Sequence, residues 1–164
     1  MQRLWSPWRS EYVGADEPDE RGCFFCNFAR EQDDERNLVL LRGEFAFVVL
    51  NRYPYNSGHV MIAPYEHTSD FAGLSTDTMA ETTALLCRCL IALDRAYKPD
   101  GYNTGMNLGS AAGAGVADHL HQHVVPRWAG DVNFMPSLGD VKVMPELLGD
   151  TYQKLVEALA ATST

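Results

Sequence analysis

All five histidines of the chain fall into two clusters. One runs Gly58-His59-Val60-Met61-Ile62-Ala63-Pro64-Tyr65-Glu66-His67, and the other is His119-Leu120-His121-Gln122-His123-Val124-Val125. Side chains alternate along a strand, so His119, His121 and His123 are expected on one face, roughly 7 Å apart, with Leu120, Gln122 and Val124 on the other. A core strand hardly holds three imidazoles in a row, since each buried ring needs partners for its nitrogens. The bland alternatives are an exposed sheet face that tolerates histidine, or an adventitious metal site. Neutral imidazole is a nucleophile near pH 7 and serves equally as acid or base. Just before the row lies Gly109-Ser110-Ala111-Ala112-Gly113-Ala114-Gly115, nearly free of side chains, whose main-chain N–H groups can approach an anion. Alone that loop is an ordinary turn. Beside three histidines it supplies what attack on a phosphoryl centre requires: a nucleophile, a proton source and donors around the equatorial oxygens.

The elements that must hold these residues can be read in outline. Residues 1–22 form an N-terminal arm, aromatic at first and then acidic, expected to dock through Trp5, Trp8 and Tyr12. Polar residues 30–37 suit a short helix. Leu38–Leu41 and Phe45–Leu50 read as strands about a turn at Arg42-Gly43-Glu44, Asn51–Gly58 as a loop, and His59–Pro64 as a further strand. Over Thr76–Tyr97, Met79, Thr83, Leu86, Leu90, Leu93 and Tyr97 recur at three- and four-residue steps, which predicts a long helix with Asp70 or Ser75 as cap and Pro99 beyond its end. Tyr102–Leu108 and His119–Trp128 are expected strands flanking the glycine loop. Residues 129–144 read as irregular and Pro145–Ala160 as a C-terminal helix. Hairpin-linked strands with one long helix predict an α+β fold with an antiparallel sheet.

Composition narrows the function. The chain has 164 residues, with 13 Lys plus Arg against 22 Asp plus Glu, a net charge of −9. Such a length suits one domain with tails, able to bury roughly 70% of its unfolded surface. The negative charge, with no basic stripe, argues against a nucleic-acid partner, although a few aimed donors suffice for one small phosphate. No apolar run approaches the ~18 residues of a membrane span and the first residues lack a signal-peptide core, so the expectation is a soluble, cytoplasmic protein with no membrane partner. Four cysteines without an export signal do not read as a disulfide framework. Cys23 and Cys26 form a C-x-x-C pair, while Cys87 and Cys89 in the long helix read as buried thiols.

The segment His119–Val125 resembles the histidine triad (HIT) motif, His-φ-His-φ-His-φ-φ with φ apolar, and Gly58–Pro64 resembles the second block of that superfamily. Leu4-Trp5-Ser6-Pro7-Trp8-Arg9, Cys23-Phe24-Phe25-Cys26, Gly101–Gly109 and Val125–Met135 extend the likeness, which runs from about Leu4 to Met135 and is greatest to the bacterial branch related to actinobacterial diadenosine tetraphosphate phosphorylase. The resemblance implies a HIT domain over 23–135, a five-stranded antiparallel half-barrel sheet with one long helix, a C-terminal loop and helix over 136–164 packed on the same domain, and a homodimer or higher homo-oligomer. It implies a nucleotidyl hydrolase or transferase acting on dinucleoside polyphosphates, by phosphorolysis with inorganic phosphate or by hydrolysis; a purine nucleoside phosphoramidase is the alternative, and a nucleotide-binding module without turnover the third reading. By that likeness His121 is the nucleophile and forms a nucleotidyl–histidine intermediate, His123 contacts phosphate, and His59 supports the triad strand. Asn51 matches a ribose contact and Asn107 a phosphate contact, turn chemistry being the other reading of both. Among Gly113, Ala114 and Gly115, any can supply the phosphate donor, because this loop is one residue longer than in eukaryotic HIT hydrolases. Gln122 stands where the motif is usually apolar. Arg127 and Trp128 match a wall of the substrate site near the partner subunit, or else a surface or interface role; Asp131 and Asn133 sit where the chain could cover the site.

Cys23, Cys26, His67 and His119 together would supply a two-Cys, two-His set, the chemistry of closed zinc sites. Several bacterial HIT proteins and the related uridylyltransferases carry zinc at matching positions. The expectation is a structural zinc that ties the arm to the sheet and fixes His119, against a reduced thiol pair in a turn; no organic cofactor is expected.

Overall fold

A computed structural model describes residues 22–131 and 145–162. The arm residues Trp5, Trp8 and Tyr12, and Asn133, lie outside the described residues. In chain order the elements are α1 (Phe24–Arg30), α2 (Asp34–Asn37), β1 (Val39–Arg42), β2 (Ala46–Leu50), β3 (Val60–Pro64), α3 (Thr76–Tyr97), β4 (Gly101–Gly105), a 3-10 turn (Ser110–Ala112), β5 (Gln122–Arg127) and α4 (Leu148–Ala160). The strands make one open antiparallel sheet in the order β1-β2-β3-β5-β4. The α+β expectation and its five antiparallel strands are met.

Strand alternation sorts the apolar residues onto two faces. Ala46, Val48 and Leu50 of β2, Val60 and Ile62 of β3 and Val124 of β5 meet Leu85, Cys89, Ala92 and Leu93 of α3 and Tyr152, Leu155 and Leu159 of α4. On the opposite face Phe47, Val49, Met61 and Ala63 meet Phe25 of α1. Both faces of β2 and β3 are therefore buried, which is why they read as continuous apolar runs rather than alternating ones. In register, Met61 pairs with His123 and Val60 with Val124. Val124 faces the long helix, so His123 projects on the side of α1, away from α3.

The long helix has the predicted bounds, with Ser75 accepting the Thr78 N–H as N-cap. Asp70 instead accepts the Ala72 N–H in a turn ahead of the helix. Four expectations need correction. A helix precedes the one anticipated at 30–37: α1 covers Phe24–Arg30, and α2 is confined to Asp34–Asn37. The triad segment is not strand throughout, because β5 starts at Gln122; His119 and His121 precede the ladder, with the Leu120 N–H donating to the Thr68 carbonyl outside the sheet. The strand expected over Tyr102–Leu108 ends at Gly105. Cys89 is buried but Cys87 is exposed, since positions two apart on a helix point about 200° apart.

Candidate active site and metal centre

Hydrogen bonds to the main chain decide which nitrogen of His59, His119 and His121 carries hydrogen. His121 Nδ1 lies 2.9 Å from the His119 carbonyl oxygen. A carbonyl only accepts, so Nδ1–H donates and Nε2 keeps the lone pair. His121 is 6% exposed, and burial holds it below the ordinary imidazole value, in its neutral form at neutral pH. The ring's lone pair therefore sits on Nε2. Phe25 lies beside both His121 and His119, with ring centroids 5.0 and 5.1 Å away.

The same reasoning orders the second pair. The Tyr55 N–H donates to His59 Nδ1 at 3.0 Å. Nδ1 is thus the acceptor, and the hydrogen of neutral His59 sits on Nε2, from which it donates to His123 Nδ1 at 2.9 Å. That places the hydrogen of neutral His123 on Nε2. The His121 and His123 rings stand nearly perpendicular, 4.9 Å apart, and Tyr55 stacks on His123 at 5.7 Å. The site thus presents a lone pair on His121 beside an N–H on His123.

Asn51, anticipated as a ribose contact, makes a turn: its Oδ1 accepts the Tyr53 N–H at 2.9 Å, which directs Nδ2 to His59 Nδ1 at 3.3 Å. Asn107 spans the glycine loop, Nδ2 donating to the Gly113 carbonyl at 3.4 Å. The loop turns through Gly109 and Gly113, both at positive φ, and the Gly113 N–H closes the 3-10 turn on Ser110. Val116, just beyond the loop, packs against the Phe25 cluster and so anchors the loop's end on the histidine face. Arg127 makes a two-pronged bond to Asp131 and reaches Asn103 Oδ1, while Trp128 lies edge-on to Tyr97. Both residues are thereby tied to their own chain.

A second constellation adjoins the first. One ligand atom each from Cys23, Cys26, His67 and His119 lies within 4.8 Å of all the others. His119 Nε2 donates to the Pro64 carbonyl at 2.8 Å, leaving Nδ1 as a lone pair aimed at the cluster. His119 Nδ1 stands 3.3 Å from His67 Nδ1, 3.4 Å from Cys23 Sγ and 3.6 Å from Cys26 Sγ, and Cys26 Sγ is 3.3 Å from His67 Nδ1. Tetrahedral zinc with ordinary bond lengths has N···N edges of about 3.3 Å and N···S edges of about 3.6 Å. The donor set fits such an ion.

Phe25 and Tyr55 carry much of this geometry, and the sequence assigns them no role in it. The aromatic rings sit one residue from a recognised cysteine and inside a recognised loop. Asn56 is nearly buried within a stretch whose Pro, Asn, Ser and Gly read as a loop.

A family model described as the HIT domain matches residues 32–130. Over 161 residues the chain is 40% identical to a protein of Mycobacterium tuberculosis named AP-4-A phosphorylase, covering 94% of this chain and 83% of that one. It is 28% identical over 105 residues to an adenosine 5'-monophosphoramidase of Schizosaccharomyces pombe, 64% of this chain and 74% of the relative. A crystal structure of a zinc-bound histidine triad family protein from Mycobacterium smegmatis superposes with a TM-score of 0.68 at 26% identity, covering 87% of this chain and 96% of that one. The imidazole row, the sheet that carries it and the matched span agree: the chain belongs to the HIT family.

Proposed function

We propose that the protein cleaves dinucleoside polyphosphates, diadenosine tetraphosphate foremost, by nucleotidyl transfer through His121. The observation that carries this reading is the bond from His121 Nδ1–H to the His119 carbonyl, which leaves the lone pair on Nε2 of a buried, neutral ring beside His123. Nε2 attacks the α-phosphorus; an N–P bond forms as the P–O bond to the leaving nucleoside triphosphate breaks, and that oxygen takes the electron pair. An oxygen of inorganic phosphate then attacks the same phosphorus, the N–P bond breaks, and ADP leaves with Nε2 restored. Water in place of phosphate yields AMP. His123 donates from Nε2–H to a phosphate oxygen, and the Ala114 and Gly115 amides, with Asn107, line the anion's path. The 40% identity to the mycobacterial AP-4-A phosphorylase supports phosphate as acceptor.

Cys23, Cys26, His67 and His119 hold a zinc ion in this reading. A closed two-Cys, two-His ion supplies structural cross-linking and no open coordination position. His119 then serves two elements at once: its ring completes the metal cluster and its carbonyl orients the nucleophile. The protein works as a cytoplasmic homo-oligomer, a dimer at least, consistent with β4 standing at the sheet's edge among the described residues.

The test is product analysis with diadenosine tetraphosphate. ADP plus ATP, formed only with phosphate present, is the expected result, and AMP plus ATP irrespective of phosphate would reassign the acceptor to water. H121A should lose turnover by about 10⁴-fold or more while folding normally, as loss of a covalent nucleophile does. An H121A enzyme of unchanged rate would end the assignment. The likeness to a phosphoramidase favours a second activity on the same atoms, read by whether adenosine phosphoramidate is cleaved faster than the dinucleotide.

A further inference from the structure

The loop Asn51–Gly58 wraps His59 from three sides. The Asn51 N–H donates to the His59 carbonyl, the His59 N–H to the Asn56 carbonyl, and the Tyr55 N–H to the His59 ring. Asn56 ties this loop to β5. Its Nδ2 donates to the Pro126 carbonyl at 3.0 Å and to Asp131 Oδ2 at 2.7 Å, and its side chain is nearly buried. Asp131 is itself fixed by Arg127 Nε and Nη2 and by the Trp128 N–H. The latch thus joins the loop to the far end of the strand that carries His123.

We propose that Asn56 is a positioning residue for the reaction: by latching the loop to β5 it keeps the Tyr55 N–H on His59 and so fixes the direction of the His59-to-His123 hydrogen bond. The proposal rests on the nucleotidyl-transfer reading for its effect on rate, though not for its geometry. A neutral imidazole has one N–H and one lone pair. While His59 Nδ1 accepts from Tyr55, Nε2 must donate, and His123 must carry its hydrogen on Nε2. Withdraw the Tyr55 amide and His59 can carry hydrogen on Nδ1, accepting at Nε2 from His123 Nδ1–H. His123 would then turn a lone pair toward the phosphate instead of a donor. Asn51 Nδ2 reaches the same ring nitrogen at the longer distance of 3.3 Å, from the start of the same loop.

The test compares the full-length protein with N56A, using ¹⁵N-histidine spectra at pH 7.5 and steady-state rates with diadenosine tetraphosphate and phosphate. The expected wild-type spectrum has His123 protonated on Nε2. In N56A that form should lose its dominance and kcat should fall between about 10- and 100-fold with KM changed less, as slight misplacement of a reacting group does. Should N56A unfold, D131N weakens the same latch and is judged by the same two readouts. The proposal is overturned if wild-type His123 carries its hydrogen on Nδ1, or if the folded variant keeps the wild-type tautomer. Because the spectra need no turnover, a protein that proves inactive on dinucleotides would refute the proposed activity and leave the latch to be judged on the tautomer alone.

Discussion

Gly58 shows how closely the loop before His59 is fitted to the rest of the chain. It adopts φ of +75°, and a Cβ there would lie 2.9 Å from Leu93 Cδ2 and 3.2 Å from Tyr97 Cε2, both on α3. Either fact alone disfavours a side chain; together they make glycine a requirement. G58A is expected to lose about 1–3 kcal/mol of stability, the range for overpacking with backbone strain, seen as a lower midpoint in urea at unchanged m-value. Its neighbours explain what could be read at this scale. Five histidines in two blocks announced themselves, because imidazole is scarce and alternate spacing on an apolar strand is conspicuous. The partners that set their tautomers are main-chain groups: the His119 and Pro64 carbonyls and the Tyr55 amide. Every residue type carries those groups, so composition cannot flag them.

The helix α1 has ends of different character. Cys23 stands as its N-cap residue with no side-chain cap bond, and Cys26 lies in its first turn. At the other end Arg42 from β1 donates to the Phe28, Ala29 and Glu31 carbonyls while paired with Asp34. A seven-residue helix is marginal by itself, so it depends on these anchors and on Phe25 against the sheet. That dependence is why the element was missed: its helicity comes from contacts far along the chain, whereas the 22 residues of α3 carry their own period and cap. The same physics yields a test. Zinc bound at the N-terminal end should stabilise the native state, since a ligand confined to the folded form shifts unfolding by mass action. Metal analysis is expected to find one zinc per chain, absent in C26S, and stripping it with a chelator should lower the thermal midpoint and slow turnover as His119 loosens. A metal-free preparation with full activity and the same midpoint would refute the metal site. R42A, which leaves all four ligands in place, should release zinc to a competing chelator more readily than the native chain.

Taken whole, the molecule is a sheet with the histidine row on one face and α3 and α4 packed on the other, and a carboxylate fastens those two helices to each other. Glu146, just ahead of α4, accepts from Tyr97 Oη at 2.5 Å and Thr151 Oγ1 at 2.8 Å and pairs with Lys154, whose ammonium also lies over the Tyr97 ring. The far end of α4 is caught as well, with Arg88 and Arg95 donating to the Leu159 and Ala161 carbonyls. Burial raises the Glu146 carboxyl, but the bonds from Lys154, Tyr97 and Thr151 outweigh it and the group sits below its ordinary value. A carboxyl depressed in the folded state contributes stability that is complete above its unfolded value and disappears as pH falls through the folded one. On acidification below about pH 4, α4 should therefore loosen from α3, seen as faster amide exchange along 148–160 before the sheet amides respond. E146Q keeps the shape and removes the charge. It is expected to cost about 1.5–3 kcal/mol at pH 7, the worth of hydrogen bonds to a charged group, and to flatten the acid limb of the stability curve. A variant with the native acid limb would assign that limb to other carboxylates. Tyr97, which this carboxylate holds, also lies edge-on to Trp128 at the end of β5.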